Sequence, residues 1–281
     1  MTGLLLVTAD DFGLTDGVNS GIVRAHVDGV VTSASLLAVG SAYDGAVELA
    51  RRTPSLAVGV HLAAVGEDPP LLSPAEVPSL VGASGGFPLS YRSVLRSAAL
   101  GRLDPCDVRR EFRAQIERVR GEGLTVTHLD THQHLHLWPV IGRIVVDLAL
   151  EYGIPAVRLP RSHRHSPLGL GVRALAGALA TRLAAAGLRY TSDFAGLDEA
   201  GALDLAMPRV LAGLARRGRP TAELNAHPGE AGDGLHDRFA WGYRWEHELA
   251  VLCDRTLPAR IRAAGFTLAS WSDLADGEGI P

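Results

Sequence analysis

The segment VTADDFG, residues 7–13, places two adjacent carboxylates directly after an apolar run. Leu4 to Val7 read as a buried strand, and Asp10 and Asp11 follow where that strand should end. Two neighbouring like charges repel each other at the mouth of a buried strand unless a cation lies between them or one is protonated. Helix capping is the alternative role for acidic residues here, but capping needs one carboxylate and Thr15 already offers a good N-cap.

A second group of candidate ligands is the segment HLDTHQHLHLWP, residues 128–139, which holds four of the eleven histidines. If the segment is extended, alternate side chains share a face, so His132 and His134 could bind one ion as an H-x-H pair. We expect at least one metal ligand among these two, and the spacing does not choose between them. His128 is expected to be a core residue, and for His136 the sequence favours neither role.

A carboxylate and imidazoles that leave coordination positions open form the type of site that hydrolytic metalloenzymes use. A divalent cation would take one aspartate of the pair as a ligand, and its charge would keep the other ionised as a base. Imidazoles together with a carboxylate accept Mg, Zn, Mn or Co. The sequence therefore predicts one divalent metal ion without identifying it.

The elements that must position these residues are predicted to be strands that alternate with helices. Eight strands are expected, over residues 4–9, 34–39, 57–61, 125–130, 155–159, 189–194, 221–226 and 266–269. One helix should begin near Thr15, a charged helix should span Asp107 to Arg120, and Pro139 should open another. Eight βα units in 281 residues predict an α/β fold of the TIM-like barrel type, with a doubly wound sheet as the alternative.

In such a barrel the carboxyl ends of the strands meet at one face, where active sites form. Polar residues occupy these ends in six of the eight predicted strands: Asp10, Asp11, His61, Asp130, His132, Arg158, Asp193 and His227. We therefore expect these side chains to converge on one site, in which Asp130 or Arg158 would orient its neighbours.

One region, residues 66–105, interrupts the alternation of strands and helices. It is rich in Pro, Gly and Ser and lies between the third and fourth predicted strands. Long insertions of this kind often form lids or binding loops. We predict a single domain over residues 1–281 that carries this insertion as a candidate lid.

The composition excludes several classes of function. All 27 basic residues are arginines, so mechanisms that need a lysine amine, including those of kinases and Schiff-base enzymes, are absent. The net charge is −4 and the arginines are scattered, which argues against nucleic acid as a partner. No basic leader and no apolar stretch of about 18 residues is evident, which predicts a cytoplasmic protein that does not span a membrane.

The chain resembles the YdjC-like (ChbG-type) carbohydrate deacetylases, which include a branch associated with hopanoid biosynthesis. The matching segments are TADDFG at 8–13, VGVHL at 58–62, HLDTHQHLHLWP at 128–139, VRLPR at 157–161 and NAHPGE at 225–230. This resemblance implies a TIM-like barrel, a divalent metal and removal of N-acetyl groups from amino sugars. It further implies the metal ligands Asp11, His61 and His132, the base Asp10 and the acid His227.

The resemblance chooses His132 over His134, which leaves His134, Asp130, Arg158 and Asp193 as residues that orient neighbours or contact substrate. Arg161 departs from the pattern of many relatives, in which an acidic residue follows the proline. The expected substrate is an N-acetylated amino sugar, oligosaccharide or glycolipid, and a homodimer is compatible with the sequence. The alternatives are an inactive sugar-binding or metal-binding barrel and a metal hydrolase that cleaves another bond, such as a phosphoester.

Overall fold

Parallel strands form the central sheet in the part of the chain that the computed structural model describes, residues 2–232 and 234–276. The seven strands in this part are β1 (Gly3–Phe12), β2 (Ser33–Leu36), β3 (Ala57–Leu62), β4 (Val126–Thr131), β5 (Asp193–Ala195), β6 (Thr221–Ala226) and β7 (Phe266–Ala269). Their order is β4-β3-β2-β1-β6-β5, and β7 pairs with β1. This α/β architecture confirms the predicted fold class. Of the predicted single domain, Met1, Asp233 and residues 277–281 lie outside the described residues.

Strand β1 is the centre of the sheet because it pairs with three other strands. Leu4 to Ala9 pair with β6, while β7 and β2 pair with the first and last parts of the strand. A parallel strand that is covered on both faces needs an almost continuous apolar sequence. The run LLLV supplies it and brings the two aspartates to the end of the strand.

Helices surround the sheet and connect its strands. In the described residues they are α1 (Asp16–Val27), α2 (Tyr43–Arg52), α3 (Tyr91–Ala99), α4 (Pro105–Gly121), α5 (Pro139–Tyr152), α6 (Pro167–Ala185), α7 (Leu203–Arg217), α8 (Leu235–Arg238), α9 (Trp245–Leu252), α10 (Leu257–Ala263) and α11 (Trp271–Asp276). The expected helix starts are confirmed. Thr15 Oγ1 accepts the N–H of Val18 at the start of α1, and Pro139 is the first residue of α5.

The predicted TIM-like barrel of eight strands is not confirmed, because the sheet formed by the described residues does not close. The expected fifth strand, residues 155–159, is reduced to isolated bridges that join Leu129 to Val157 and Ala156 to Arg189. The expected sixth strand, residues 189–194, is replaced by the three-residue β5. Pro155 and Pro160 flank the missing strand, and neither has the N–H that a ladder of hydrogen bonds requires. The sheet therefore curls into a half-barrel, and its open side lies between the two edge strands, β4 and β5.

The inserted region 66–105 packs on α4 through both polar and apolar contacts. The buried carboxylate of Glu111, on α4, accepts the backbone N–H groups of Leu71 and Leu72 at 2.9 and 3.1 Å. Val77 and Leu80 are buried in the main hydrophobic core. These contacts tie the insertion to the body of the domain, and its action as a lid stays a prediction.

Helix α6 has the length and composition of a membrane span. It is 19 residues long, its most apolar window has a mean hydropathy of 1.3, and 22% of that window is buried. The expectation that no segment reaches this length is therefore wrong. Arg173 lies within the helix and donates to the carbonyl oxygens of Ser162 and Arg164. One such helix is weak evidence for a membrane span, because helices of soluble proteins can have the same length and composition. That the chain does not cross a membrane therefore stays a prediction.

Candidate active site

An irregularity at the end of β1 brings both aspartates to one site. The strand continues past its predicted end to Phe12, and its register with β2 shifts between Ala9 and Phe12. Asp11 adopts a left-handed backbone conformation with φ 65°. Successive side chains of a regular strand point to opposite faces, whereas a bulge can turn two neighbours to the same side. Asp10 and Asp11, each 2% exposed, therefore reach the same buried site.

The site contains a buried group whose geometry suits a metal ion. This metal-compatible group consists of Asp11, His61 and His132. Asp11 Oδ1 lies 3.5 Å from His61 Nε2 and 3.1 Å from His132 Nδ1, and these two nitrogens are 3.3 Å apart. The ligand atoms of the group all lie within 4.8 Å of one another. Asp11 Oδ1 is buried without a hydrogen-bond partner in the described residues, which fits the role of a metal ligand. One carboxylate and two imidazoles fit a divalent ion.

Opposite charges in and around this group favour the ionised forms of Asp11 and His61. Burial raises the pKa of Asp11, but His132 and His61 lower that pKa more, so the carboxyl group stays ionised. Burial lowers the pKa of His61, whereas the three surrounding aspartates raise it more, to about 9. His61 Nδ1 lies 2.8 Å from Asp130 Oδ1. This hydrogen bond orients the ring so that Nε2 of His61 faces Asp11.

Arg158 forms the centre of a second buried cluster. Its guanidinium nitrogens donate to both carboxylate oxygens of Asp10 at 2.7 Å. The same side chain pairs with Asp130 and, through Nε at 2.9 Å, with Glu223 Oε1. Burial disfavours the charge of Arg158, but the three carboxylates raise its pKa well above the ordinary value. The cluster holds Asp10 beside the metal-compatible group, and Asp10 Oδ2 is 4.0 Å from His61 Nε2.

Glu223 was missed by the sequence analysis although β6 carries a signal for it. Glu223, Asn225 and His227 alternate along the end of the strand and should share a face. All three are buried. A charged residue buried within a strand indicates a partner of opposite charge, and that partner is Arg158.

The condition for an H-x-H pair is not met, because residues 132–137 are not extended. They form a 3-10 helix, His132–Leu137, in which Gln133 and His134 have left-handed conformations with φ 52° and 54°. The turn separates the two imidazoles, so only His132 joins the metal-compatible group. His134 instead packs edge-on against Phe194 at 5.8 Å.

The other two histidines of the segment are buried and hydrogen-bonded. His128 contacts Ser35 Oγ and Thr127 Oγ1 and stacks on Trp271 at 4.6 Å, which confirms its core role. Burial lowers the pKa of His128 to about 3 and that of His136 to about 4. His136 bridges Thr131 Oγ1 and the carbonyl oxygen of Arg158. Both rings therefore support the site without facing the cleft.

His227 lies at the end of β6 and is 8% exposed. Its backbone N–H donates to Glu248 Oε2 at 2.7 Å, and its Nδ1 lies 3.9 Å from the same oxygen. Glu230, which is close to His227 in the sequence, pairs with Arg24 at the surface. The carboxylate beside the ring belongs to Glu248 of α9, which is 21 positions away in the sequence.

A cleft of about 240 Å³ joins these groups and opens to solvent. Among the residues that line it are the predicted Asp10, Asp11, His61, His132, His134 and His227. Asp193 lies apart from the cleft, because its carboxylate bonds to Arg217 Nε at 2.6 Å and contacts His163 Nε2 at 3.1 Å. Asp130 and Arg158 lie beneath the cleft and contact its residues from the interior of the half-barrel.

Comparison with known proteins gives consistent results at the levels of family, sequence and structure. A carbohydrate deacetylase from Homo sapiens is 36% identical over 99% of this chain and 94% of its own length. A chitooligosaccharide deacetylase from Salmonella paratyphi B is 32% identical over 98% of this chain and its own full length. A crystal structure from Enterococcus faecalis, provisionally assigned to cellobiose-phosphate cleavage, superposes with a TM-score of 0.81 at 26% identity and covers 98% of this chain and 100% of its own. The model of the YdjC-like protein family matches residues 4–263, so the chain belongs to the YdjC-like protein family.

Proposed function

We propose that this protein is a metal-dependent hydrolase that removes the N-acetyl group from an amino sugar. The observation that carries the proposal is the buried group of Asp11, His61 and His132 beside the titratable side chains of Asp10 and His227 in one cleft. The relatives named carbohydrate deacetylase and chitooligosaccharide deacetylase support the same reaction class.

Asp11, His61 and His132 would hold one divalent ion, Mg or Zn, with Mn or Co as alternatives. When bound, such an ion polarises a carbonyl group and lowers the pKa of water. Asp130 keeps His61 in the orientation that this role requires, because it accepts the hydrogen bond of the opposite ring nitrogen.

Asp10 acts as the general base in the proposed reaction. Its paired hydrogen bonds with Arg158 hold the carboxylate in one orientation beside the metal-compatible group. It takes a proton from the attacking water. His227, which faces the same cleft from β6, gives a proton to the departing amine. The acetyl group thus leaves as acetate and the sugar keeps a free amine.

The residues that line the cleft include no arginine in the described part of the chain. Phosphoesters are commonly bound by arginine side chains that pair with the phosphate oxygens. The cleft therefore favours an uncharged amide over a phosphoester. An N-acetylated amino sugar, free, within an oligosaccharide or on a glycolipid, is the proposed substrate.

The test combines metal analysis with acetate release. We expect the purified protein to bind about one equivalent of a divalent metal and to release acetate from at least one member of a panel of N-acetylated sugars and glycolipids. Chelation should abolish this activity, and added metal should restore it. Acetate release that persists after complete removal of the metal would contradict the proposed mechanism.

A further inference from the structure

Three aromatic side chains line the catalytic cleft and take no part in the proposed proton transfers. They are Tyr91, Trp241 and Tyr243. Trp241 lies beside the metal-compatible group, with its ring centroid 5.4 Å from that of His132. Its side chain is only partly buried, so part of the indole is accessible from the cleft that it lines.

The orientation of Trp241 is fixed by a segment that is distant in sequence. Its indole Nε1 donates to Glu67 Oε1 at 2.8 Å. Asp68, the next residue, pairs with Arg238, which also bonds to Ser41 Oγ. Two contacts therefore join the first residues of the insertion after β3 to the end of α8 and to the segment that follows it.

Neighbouring rings complete the packing of Trp241. The centroids of Phe239 and Tyr243 lie 4.9 and 5.5 Å from its centroid. Tyr243 in turn packs edge-on against the His227 ring at 4.8 Å. A side chain held at its polar edge and by neighbouring rings is preorganised, so binding costs little conformational entropy.

We propose that Trp241 is the platform on which the pyranose ring of the substrate packs, and that Glu67 is the positioning residue that orients this indole. The proposal rests on the proposed function because the ligand is the sugar whose acetamido group reaches the metal site. A pyranose carries hydroxyl groups at its rim and C–H bonds on its faces. Those C–H bonds are weakly positive, and the face of an indole is negative. Trp241 therefore selects a ring-containing acetamide over an acyclic one.

The test compares a substrate that has a pyranose ring with one that lacks it, using the metal-loaded enzyme. For N,N′-diacetylchitobiose, Trp241→Ala should raise KM about tenfold, the ratio that corresponds to about 1.4 kcal/mol of lost stacking, and change kcat by less than about threefold. For vinyl acetate, an activated ester without a ring, kcat/KM should fall much less than for N,N′-diacetylchitobiose, because this ester has no ring face to pack on the indole. Trp138→Phe is the matched control, since Trp138 lies outside the lining of the catalytic cleft.

Glu67 is tested by a pair of substitutions. Glu67→Ala removes the acceptor of the indole N–H and should raise KM for N,N′-diacetylchitobiose about threefold. Glu67→Gln keeps an amide oxygen that can accept the same bond and should restore the wild-type KM. Loss of activity on both substrates in equal proportion, or equal KM values for the alanine and glutamine variants, would overturn the positioning role.

A binding measurement separates this proposal from the proposed function. N,N′-diacetylchitobiose should quench tryptophan fluorescence in metal-loaded Asp10→Asn protein, and Trp241→Phe in the same background should abolish most of that quenching. If no sugar releases acetate but this quenching occurs, the proposed function fails and the platform stands. If Trp241→Ala deacetylates with wild-type KM, the platform fails and the function stands. If circular dichroism shows that Trp241→Ala is unfolded, the results for Trp241→Phe and for the two Glu67 variants decide whether the platform stands.

Discussion

His132 and His134 are two positions apart, yet their imidazoles contact different groups. His132 Nδ1 lies 3.1 Å from Asp11 Oδ1, whereas His134 packs against Phe194. We expect His132→Ala to lose bound metal and His134→Ala to keep it, because only the first removes a ligand. Metal content per protein after gel filtration measures the difference. Full metal occupancy in His132→Ala together with loss in His134→Ala would reverse our assignment.

Asp10 is held by Arg158 rather than by the metal-compatible group, so its substitution should separate binding from catalysis. Asp10→Asn should bind metal nearly normally and lower kcat at least about a hundredfold, the usual contribution of a positioned base. Metal analysis and acetate release on the same preparation check both parts. Near-normal turnover would remove Asp10 from the mechanism.

His227 is tested by a change of leaving group. An amine needs a proton to depart, whereas the phenolate of an activated ester does not. His227→Ala should therefore be strongly impaired on an N-acetylated sugar and much less impaired on p-nitrophenyl acetate, as measured by kcat/KM for each. An equal loss on both substrates would indicate that His227 binds substrate or stabilises the oxyanion.

At the scale of elements, the packing of β3 against β4 depends on a glycine beside a buried ring. A Cβ at Gly59 would lie between 2.3 and 2.5 Å from ring atoms of His128. That ring is stacked on Trp271 and hydrogen-bonded at both nitrogens, so it cannot easily move. We expect Gly59→Ala to lower the free energy of unfolding by at least about 2 kcal/mol, as measured by urea denaturation.

The matched control for this substitution is Gly171→Ala. Gly171 lies in α6, and a Cβ there would meet no atom within 4 Å. The alanine should raise the free energy of unfolding by about 0.5–1 kcal/mol, because glycine loses more backbone entropy in a helix. Equal stabilities for Gly59→Ala and the wild type would show that the interior beside His128 has room for a methyl group.

At the scale of the whole molecule, the buried charges that join β1, β4 and β6 make stability depend on pH. Burial raises the pKa of Glu223 to about 7, although Arg158 opposes the shift. The pKa of a glutamate in the unfolded chain is about 4.3. Between these values the folded chain binds a proton that the unfolded chain has released. The contribution of Glu223 to stability must therefore fall as pH rises through this window and level off above pH 7.

Glu223→Gln removes this titration but keeps an oxygen that can accept from Arg158. The stability of the wild type relative to the variant should decrease by up to about 1.4 kcal/mol per pH unit in that window. Urea denaturation of both proteins at several pH values, with metal removed, measures the difference. Parallel stability curves for the two proteins would contradict the shifted pKa.

Local signals in the sequence determined most of the elements. Strands β6 and β7 match their predicted ranges, 221–226 and 266–269, because apolar residues alternate along each short segment and turn residues bound it. The start of α1 follows from the Thr15 cap and that of α5 from Pro139. The sequence also determined which polar residues follow the strands, because a carboxylate or imidazole that ends an apolar run stands out in the sequence itself.

Only the tertiary structure decided which of these residues meet and which way they face. Asp11, Gln133 and His134 are the non-glycine residues with positive φ in the described chain, and these few dihedrals aim the side chains of the site. Such conformations cost energy locally and persist because distant groups hold them; the N–H of Tyr91, for instance, donates to Gln133 Oε1. Arg158 meets Asp10 across 148 positions, and no local pattern encodes a contact between residues so far apart.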